Sequence, residues 1–395
     1  MERQLNIVIG QSEVDVAIML HDLAETGVAR NALAIAKAAQ HAGLCTEIWV
    51  VEGTGPLLRQ IPPRVGLVTL GGRKRKWGNR RLADIAAIGD LARNFRRRRP
   101  AVALSAGNHF HITASAAYLL AGSPNFVRLL FRASNPPFQR RNFRIGPFLA
   151  WLYRLRFRGA QRIISVSAEL RKTLVEDVGL DPARVVTIAN SIDLKAVKEG
   201  AAESLGHPWF VKGEPPVILG IGRIAPQKNF SLLIEAFAQV RLTRPSRLVI
   251  IGDGAEAELA RLQALAANLG LISDDVWFAG HQSNPLKFLA HAGLFVLSSN
   301  WEGMSNVLLE AMACGCPIVA TDCPTGVREQ LDNGRIGPIV PINDPEQLAS
   351  AMARRLEEPR GSENLVGYVA RFDHDRMLAA YANLLKSEAG YGATV

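Results

Sequence analysis

The chain has 395 residues, of which 48% are hydrophobic and 21% are charged, and its formal net charge is +10 at pH 7. This composition is typical of a soluble globular protein, and the length allows about two domains. No uncharged apolar run reaches the length of about 18 residues that a membrane-spanning helix needs. The N-terminus lacks the basic segment and apolar core of a signal peptide, so we expect a cytoplasmic protein.

The cysteines include a C-x-C pair at 314–316 but no paired C-x-x-C spacing, so a zinc site is not indicated. In a chain of this size we expect reduced, partly buried thiols. The only D-x-D sequence, at 373–375, precedes a predicted helix, where an aspartate is more often an N-cap than a metal ligand. We predict no metal and no cofactor.

Charge is distributed unevenly along the chain. Residues 1–195 contain 29 Lys and Arg against 14 Asp and Glu, a net charge of +15, whereas residues 196–395 contain 17 against 22, a net charge of −5. A difference of this kind indicates that the two halves contact different partners.

The first half alternates between apolar runs and longer Ala-rich stretches. Residues 15–55 predict a strand, a loop over 21–31, a helix ended by Gly43, and a second strand. Bounded apolar runs predict further strands at 101–106, 125–132 and 162–167. This alternation predicts a mostly parallel sheet flanked by helices.

The alternation stops after TIANSID at 187–193 and restarts with the strand VILGIG at Val217. The polar stretch between them, with its Gly and Pro residues, has the composition of a linker. A final Ala/Leu-rich helix is predicted over about 376–387.

We therefore predict an α/β protein with two doubly wound domains that face each other across a cleft. Ligands of open α/β sheets bind at the carboxyl ends of the strands, which places the site in this cleft. The predicted units are a first domain over 1–195, a linker over 196–216, a second domain over 217–372, and a C-terminal segment over 373–395 that returns toward the first domain.

Two carboxylates, Glu302 and Glu310, flank a turn at the end of the predicted strand LFVLSS. Ser305 is a natural N-cap for the helix that follows, and the unpaired N–H groups of its first turn make an anion site. Glu310 lies about one and a half turns inside this helix, where it can accept hydrogen bonds from hydroxyls such as those of a ribose. Taken singly, each glutamate is also a common surface residue.

Arg223 and Lys228 follow the strand that opens at Val217. An arginine fork and a lysine point charge can clamp a diphosphate, although an exposed basic loop is the plainer interpretation. Their predicted position at the same sheet edge as Glu302 favours a diphosphate site. The sequence IGDG at 251–254 and the loop FAGHQ at 278–282 would border the base of a nucleotide, while neither G-x-G-x-x-G nor a P-loop is present.

The strings GIGRIAPQKNFSLLIEAF, IIGDG, FAGHQ and LFVLSSNWEGMSNVLLEAMACGCPIVATD together resemble the nucleotide-binding half of glycosyltransferase family 4, whose members are retaining enzymes of GT-B fold. The resemblance is specific over about 217–341 and looser before that, where VRLLFRASNP and TIANSID carry it. Glu302 and Glu310 match the Glu-x7-Glu signature of the family.

The resemblance implies roles for individual residues. It implies that Arg223 and Lys228 bind the donor diphosphate, that Glu310 binds the ribose, and that Glu302 lies near the hydroxyls of the donor sugar. The remaining donor-site residues that we predict are Gly27, Gly222, Gly252, Gly280, His281, Gly303, Met304, Ser305, Asn306 and Val307.

Two first-domain features fit the family pattern less closely. Gly27 corresponds to a loop that often has two adjacent glycines, and this chain has one. A family histidine that follows the predicted strand AVALS is matched by His109 or by His111, and we take His109 as the catalytic candidate.

The implied reaction displaces a nucleoside diphosphate from an anomeric carbon, and positioned cations and helix N–H groups would stabilise the leaving phosphate. Retention of configuration then needs no protein nucleophile, because the departing phosphate can take the proton of the acceptor. The resemblance implies a nucleotide-sugar donor, of which a UDP-sugar is favoured, and no metal.

Basic runs at 73–81, 93–99 and 139–162 account for much of the positive charge. The last interleaves aromatic residues with arginines, as expected of a protein that lies on an anionic membrane, although a solvated charged face is the plainer alternative. No nucleic-acid module is recognisable, so we expect no nucleic acid partner. The residues that we predict to contact membrane or acceptor are Arg132, Arg140, Arg141 and Trp151.

We therefore expect a hexosyltransferase of cell-envelope or exopolysaccharide biosynthesis, bound to the inner face of the plasma membrane, whose acceptor is a lipid-linked glycan or a polysaccharide. Two alternatives are open. One is a GT-B relative of other chemistry, such as a sugar-nucleotide epimerase, and the other is a non-enzymatic basic adaptor for membrane or nucleic acid.

Overall fold

The computed structural model of the protein describes residues 14–70, 80–137, 146–358 and 364–391. Its strands form two parallel sheets, and the strands of the first are β1 (Val16–Leu20), β2 (Thr46–Val50), β3 (Gly66–Thr69), β4 (Val102–Ser105), β5 (Arg128–Ala133), β6 (Arg162–Ser165) and β7 (Val185–Thr187). The strands of the second are β8 (Val217–Ile221), β9 (Arg247–Ile251), β10 (Val276–Gly280), β11 (Leu294–Leu297), β12 (Ile318–Thr321) and β13 (Ile339–Val340).

Helices cover both sheets. Those of the first half are α1 (Gly27–His41), α2 (Arg80–Arg98), α3 (His111–Leu120), α4 (Pro147–Arg156), α5 (Ala168–Lys172) and α6 (Leu194–Ala201). Those of the second half are α7 (Phe230–Thr243), α8 (Glu256–Asn268), α9 (Leu286–His291), α10 (Asn306–Ala313), α11 (Val327–Gln330), α12 (Pro345–Arg355), α13 (Leu365–Val369) and α14 (His374–Glu388).

Every strand pairing in the described residues is parallel, which confirms the predicted architecture of two doubly wound domains. The strand order is β3-β2-β1-β4-β5-β6-β7 in one sheet and β10-β9-β8-β11-β12-β13 in the other. The order reverses between β1 and β4 and between β8 and β11. At such a reversal the loops that follow the two strands diverge and leave a crevice for a ligand.

The central strands are buried on both faces, which explains why they read as continuous apolar runs. All five residues of β1 and all five of β8 are buried, because helices pack on each side of a parallel sheet. Helix α1 presents Ala32, Ile35 and Ala39 to the first sheet, at the spacing of one helical face.

Helix α1 begins earlier than the sequence predicts. The side chain of Thr26 accepts a hydrogen bond from the backbone N–H of Ala29 at 3.2 Å and caps the helix at Gly27. The predicted loop over 21–31 therefore ends at Thr26, and Gly27 is the first residue of a helix rather than part of a loop.

The predicted linker is partly helical. The carboxylate of Asp193 caps α6, which runs through Ala201, and the side chain of Asn284 in the second domain bonds to the carbonyl oxygen of Gly200 at 2.8 Å. This segment therefore packs on the second domain.

The C-terminal helix α14 packs on the first domain, where Met377, Tyr381 and Leu385 belong to the same apolar cluster as β1 and α1. Asp373 is its N-cap, with a carboxylate oxygen 2.8 Å from the backbone nitrogen of Arg376. The chain thus passes between the domains twice, and the backbone N–H of Ile192 bonds to the carbonyl oxygen of Phe372 at 2.9 Å where the two passages meet.

Candidate active site

The turn after β11 places Glu302 between the two domains. Ser305 caps α10 by accepting a hydrogen bond from the backbone N–H of Leu308 at 3.4 Å. The buried side chain of Gln330 fixes this turn, because its amide accepts from the N–H of Ser305 at 2.9 Å and donates to the carbonyl oxygen of Ser305 at 2.8 Å. The cap that the sequence predicts is confirmed.

Glu302 is 6% exposed and has two charged or polar neighbours on one carboxylate oxygen. Lys228 Nζ lies 2.7 Å from Oε1 of Glu302, and Ser299 Oγ lies 2.8 Å from the same atom. Lys228 follows β8 and Glu302 follows β11, so the ion pair bridges the crevice where the strand order reverses.

Glu310 lies beyond this pair on α10. Burial raises the pKa of the Glu310 carboxyl, while the positive charges of Arg30 and Lys228 act in the opposite direction. Lys228 is therefore within electrostatic reach of both carboxylates of the predicted signature. Arg30 belongs to α1 of the other domain, and the sequence offered no signal for its proximity to Glu310.

Arg223 is exposed, and the described residues offer it no ion pair within 4 Å. Gly222 and Gly252, which follow β8 and β9, and Gly280, the last residue of β10, lie side by side next to it. The N–H of Gly222 donates to the carbonyl oxygen of Ile251, and the N–H of Gly252 donates to the carbonyl oxygen of Gly280, both at a distance of 2.9 Å. A Cβ on Gly252 would lie 1.9 Å from the carbonyl oxygen of Gly222, so this edge admits no side chain there.

The two domains approach each other closely at the predicted donor turn. A Cβ on Gly303 would lie 1.9 Å from the carbonyl oxygen of Ser134, which follows β5 of the first domain. A Cβ on Gly27 would lie 3.1 Å from Nδ2 of Asn306. The first residues of α1 and α10 therefore face each other, and the N–H groups of both helices open on the same space.

His109 and His111 have different environments. His111 is 1% exposed, bonds through Nδ1 to Ser105 Oγ at 2.8 Å, and stacks on Phe131 with ring centroids 4.4 Å apart. Burial holds its pKa well below the usual value. His111 is therefore enclosed in the first domain, and His109 is the histidine at the surface.

Nε2 of His109 lies 2.8 Å from Nη2 of Arg80. Because a guanidinium can only donate, this nitrogen is the acceptor and the proton resides on Nδ1. Desolvation and the charge of Arg80 lower the pKa of His109 to about 4. The imidazole is therefore neutral at physiological pH and presents one N–H donor.

A histidine–aspartate pair that the sequence analysis missed lies beside these residues. Nδ1 of His21 is 2.5 Å from a carboxylate oxygen of Asp84, and His21 is 3% exposed. His21 directly follows β1, so a polar residue at the end of a buried strand was the available signal, the same signal that identified Lys228.

His281, which is predicted to border the nucleotide, reaches across the cleft. Its Nε2 lies 2.7 Å from a carboxylate oxygen of Glu25, which precedes α1. Gly280 directly before it closes the row of glycines described above. The imidazole thus forms a polar contact between the two domains.

Of the four residues predicted to contact a membrane or an acceptor, two lie in the described part of the chain. Arg132 is 2% exposed and bonds to the side chains of Tyr381 and Asn190, so the prediction that it contacts a membrane or acceptor is wrong. Trp151 is 50% exposed on α4. Arg140 and Arg141 lie outside the described residues.

Within the part of the chain that the structure describes, no group of three or more His, Cys, Asp or Glu side chains could hold a metal ion. Over the same residues, no helix is both long enough and apolar enough to cross a bilayer.

Two family models match the chain. The model described as Glycosyltransferase Family 4 matches residues 26–196, and the model described as Glycosyl transferases group 1 matches residues 207–386. The matched ranges correspond to the two domains of the structure and include Lys228, Glu302 and Glu310.

Curated relatives of the chain are named as sugar transferases. The chain is 29% identical over 270 residues to the N-acetylgalactosamine-N,N'-diacetylbacillosaminyl-diphospho-undecaprenol 4-alpha-N-acetylgalactosaminyltransferase of Campylobacter jejuni, covering 67% of this chain and 66% of that protein. It is 37% identical over 184 residues to the lipopolysaccharide core biosynthesis glycosyltransferase LpsE of Rhizobium meliloti, covering 44% of this chain and 51% of that protein. The chain thus matches less than two thirds of the length of either relative.

Among solved structures, HepE of Anabaena in complex with UDP and glucose superimposes with a TM-score of 0.74 at 17% identity, covering 95% of this chain and 100% of that one. This similarity confirms the GT-B fold. The two family models, which together match residues 26–196 and 207–386, show that the chain belongs to glycosyltransferase family 4.

Proposed function

We propose that the protein is a retaining glycosyltransferase that moves a hexose from a nucleotide sugar to a lipid-linked or polysaccharide acceptor, without a metal ion. The observation that carries this proposal is the convergence of Lys228, Glu302 and Glu310 at the start of α10, beside the exposed Arg223. Cations and helix N–H groups at one point suit a diphosphate, and the carboxylates suit the hydroxyls of its two sugars.

In the proposed reaction the bond between the anomeric carbon and the diphosphate oxygen breaks, and the acceptor oxygen bonds to the same face of that carbon. The acceptor proton passes to the departing phosphate oxygen, so no protein nucleophile is required. Arg223, Lys228 and the N–H groups of α10 stabilise the charge that develops on the diphosphate. Glu302 orients the sugar, because its carboxylate is already fixed by Lys228 and Ser299.

The histidine at the surface of the first domain suits a contact with the transferred sugar. His109 is neutral and has its proton on Nδ1, so it can donate to a hydroxyl without adding charge. The pair His21 and Asp84 lies on the same side and supplies a polar wall next to it.

A UDP-sugar is the favoured donor, and the structure of HepE with UDP and glucose offers a precedent within the same fold. The lipid-linked substrate in the name of the Campylobacter jejuni relative, and the lipopolysaccharide core in the name of LpsE, offer precedents for the acceptor. A product of this kind would belong to cell-envelope or exopolysaccharide biosynthesis.

We also propose that the protein works on the inner face of the plasma membrane. The helices α2, α3 and α4 contact one another in series, and we take their exposed apolar side chains as the face that meets the membrane: Ile85, Ile112, Phe148 and Trp151, which are 62, 57, 71 and 50% exposed. Exposed aromatic residues with arginines around them favour the interface of an anionic bilayer. This face belongs to the basic domain, which would bring a lipid-linked acceptor to the cleft.

Thermal unfolding in the presence of UDP, GDP or ADP, with EDTA throughout, tests the donor site. A ligand at 100 times its Kd stabilises the folded protein by about 2.7 kcal/mol. We expect stabilisation by one nucleotide, and we expect it to disappear in Arg223→Ala. If no nucleotide stabilises the protein, the proposed donor site is refuted and the adaptor alternative is favoured.

A further inference from the structure

Arg132 has a location that is unusual for an arginine. It lies in β5 of the first sheet and is 2% exposed. Its Nε donates to the hydroxyl oxygen of Tyr381 at 3.1 Å, and its Nη2 donates to Oδ1 of Asn190 at 2.6 Å. Among the described residues no carboxylate lies within 4 Å of it, so both of these partners are neutral.

A buried cation without a carboxylate destabilises a fold, since desolvation of the charge costs several kcal/mol. Arg355, the other wholly buried arginine of the described ranges, has an ion pair with Glu358 at 2.6 Å. Burial also raises the pKa of Tyr381, so this phenol stays neutral beside Arg132. A charge maintained at this cost points to a role beyond packing.

The amide of Asn190 connects Arg132 to the proposed donor turn. Because the guanidinium can only donate, the atom of Asn190 that faces it must be the oxygen. The amide nitrogen is then turned toward the second domain, where it donates to the carbonyl oxygen of Met304 at 3.1 Å and to Oδ1 of Asn306 at 2.8 Å. Arg132 thereby fixes which way this amide points.

The same constraint passes to Asn306. Since its Oδ1 accepts from Asn190, its Nδ2 points away from Asn190 and toward the start of α1, 3.1 Å from where a Cβ on Gly27 would lie. This is the space onto which the N–H groups of both helices open. An amide that could rotate freely would present an oxygen to this space half of the time.

We propose that Arg132 is a positioning residue for the donor diphosphate, which acts through Asn190 to hold the amide of Asn306 with its N–H groups directed at the anion. The positive charge of Arg132 also lies behind this chain of amides and favours an anion at its end. This inference rests on the proposed donor site, and it assigns the role to a residue of the first domain that does not touch the donor.

The test measures the Kd of whichever of UDP, GDP and ADP stabilises the wild type most. Arg132→Gln replaces the guanidinium, which can only donate hydrogen bonds, with an amide that can also accept them. The orientation of the Asn190 amide is then no longer fixed. We expect nucleotide affinity to fall about tenfold, the range of a hydrogen bond to a charged group. Arg132→Lys keeps a group that only donates, and we expect it to recover most of the affinity.

Four further variants separate positioning from folding. We expect Asn190→Ala to weaken binding as Arg132→Gln does, and the double variant to be no weaker than either, because both act in one chain. Asn306→Asp retains an acceptor for Asn190 but removes the N–H groups, so it should also lose affinity. Arg355→Met, which removes the other buried arginine, should lower the Tm and leave nucleotide affinity unchanged.

The outcomes distinguish this inference from the proposed function. If the wild type binds a nucleotide and Arg132→Gln, Asn190→Ala and Asn306→Asp bind it equally well, the positioning role is refuted and the donor site stands. Additive losses in the double variant would also refute it. If Arg132→Gln does not fold, Asn190→Ala and Asn306→Asp give the answer alone, whereas a wild type that binds no nucleotide refutes the donor site itself.

Discussion

Lys228 and Glu302 form an ion pair of 2.7 Å across the point where the strand order of the second sheet reverses. The side chains are 16 and 8% exposed. The cation proposed for the diphosphate is thus fixed, in the free protein, by the carboxylate proposed for the sugar.

We expect Lys228→Met to lose nucleotide affinity and stability together. Removal of the cation leaves Glu302 buried and unpaired, a change that costs about 3 kcal/mol at buried pairs. The double variant Lys228→Met with Glu302→Gln removes this unpaired charge, so it should recover stability without recovering nucleotide binding. Urea unfolding and nucleotide titration of both variants measure the two effects.

Arg241→Met serves as a control, since it breaks an ion pair of 2.8 Å with Asp275 on the outer side of the second domain. It should leave the Kd of the nucleotide unchanged. Equal nucleotide affinity in Lys228→Met and the wild type would contradict the assignment of Lys228 to the diphosphate.

Gly303→Ala should disrupt the contact between the domains. The added Cβ would lie 1.9 Å from the carbonyl oxygen of Ser134. Neither atom can move by rotation of a side chain, so the domains must separate. We expect a larger radius of gyration in small-angle X-ray scattering and a loss of transferase activity. Gly89→Ala on α2, where nothing lies within 4 Å of the added Cβ, should be neutral or stabilising. Unchanged scattering and activity in Gly303→Ala would show that the close approach is not a feature of the protein in solution.

The order of strands and helices could be predicted because parallel strands are buried on both faces and read as apolar runs. Lys228 and Glu302 could be predicted because each lies in the loop that follows such a run. The start of α1 was predicted too late, because the apolar periodicity begins beyond the residues that Thr26 caps.

The environment of Arg132 could not be predicted. Within the run VRLLFRA it reads as one more surface arginine of a basic half. Its partners Asn190 and Tyr381 are 58 and 249 positions away along the chain, and no local pattern reports such contacts. Likewise, the two-residue spacing of His109 and His111 gives no indication that a helix starts between them and buries only the second.

The lowered pKa of His109 predicts how stability depends on pH. A histidine whose pKa is lower in the folded than in the unfolded protein binds fewer protons when folded, so a falling pH favours unfolding. The loss begins as the pH falls through 6.5, the value of an unperturbed histidine, and levels off near pH 4, where folded His109 also takes up a proton. The variant His109→Gln lacks this contribution, so its free energy of unfolding should fall less steeply over the same range.

Urea unfolding of both proteins at several pH values measures this difference. The other titrating groups are common to the two proteins and cancel when one curve is subtracted from the other at pH values above 4, where folded His109 carries no charge that would act on His111. Parallel curves would mean that His109 titrates alike in the folded and unfolded protein, which contradicts the hydrogen bond from Arg80.

The aromatic residues of α4 should contribute to membrane binding. Phe148 and Trp151 stack with ring centroids 6.0 Å apart and are 71 and 50% exposed. We expect the double variant Phe148→Ser with Trp151→Ser to bind vesicles of phosphatidylglycerol about tenfold more weakly than the wild type, since each ring loses its apolar contact with the interface.

Leu242→Ser, which removes an 86% exposed leucine on α7 of the second domain, is the matched control and should bind like the wild type. Binding of the wild type should fall when phosphatidylcholine replaces the anionic lipid, because Arg154 and Arg156 lie in the last turn of the same helix. If the aromatic variant binds as tightly as the wild type, or if the control loses as much, α4 is not the surface that meets the membrane.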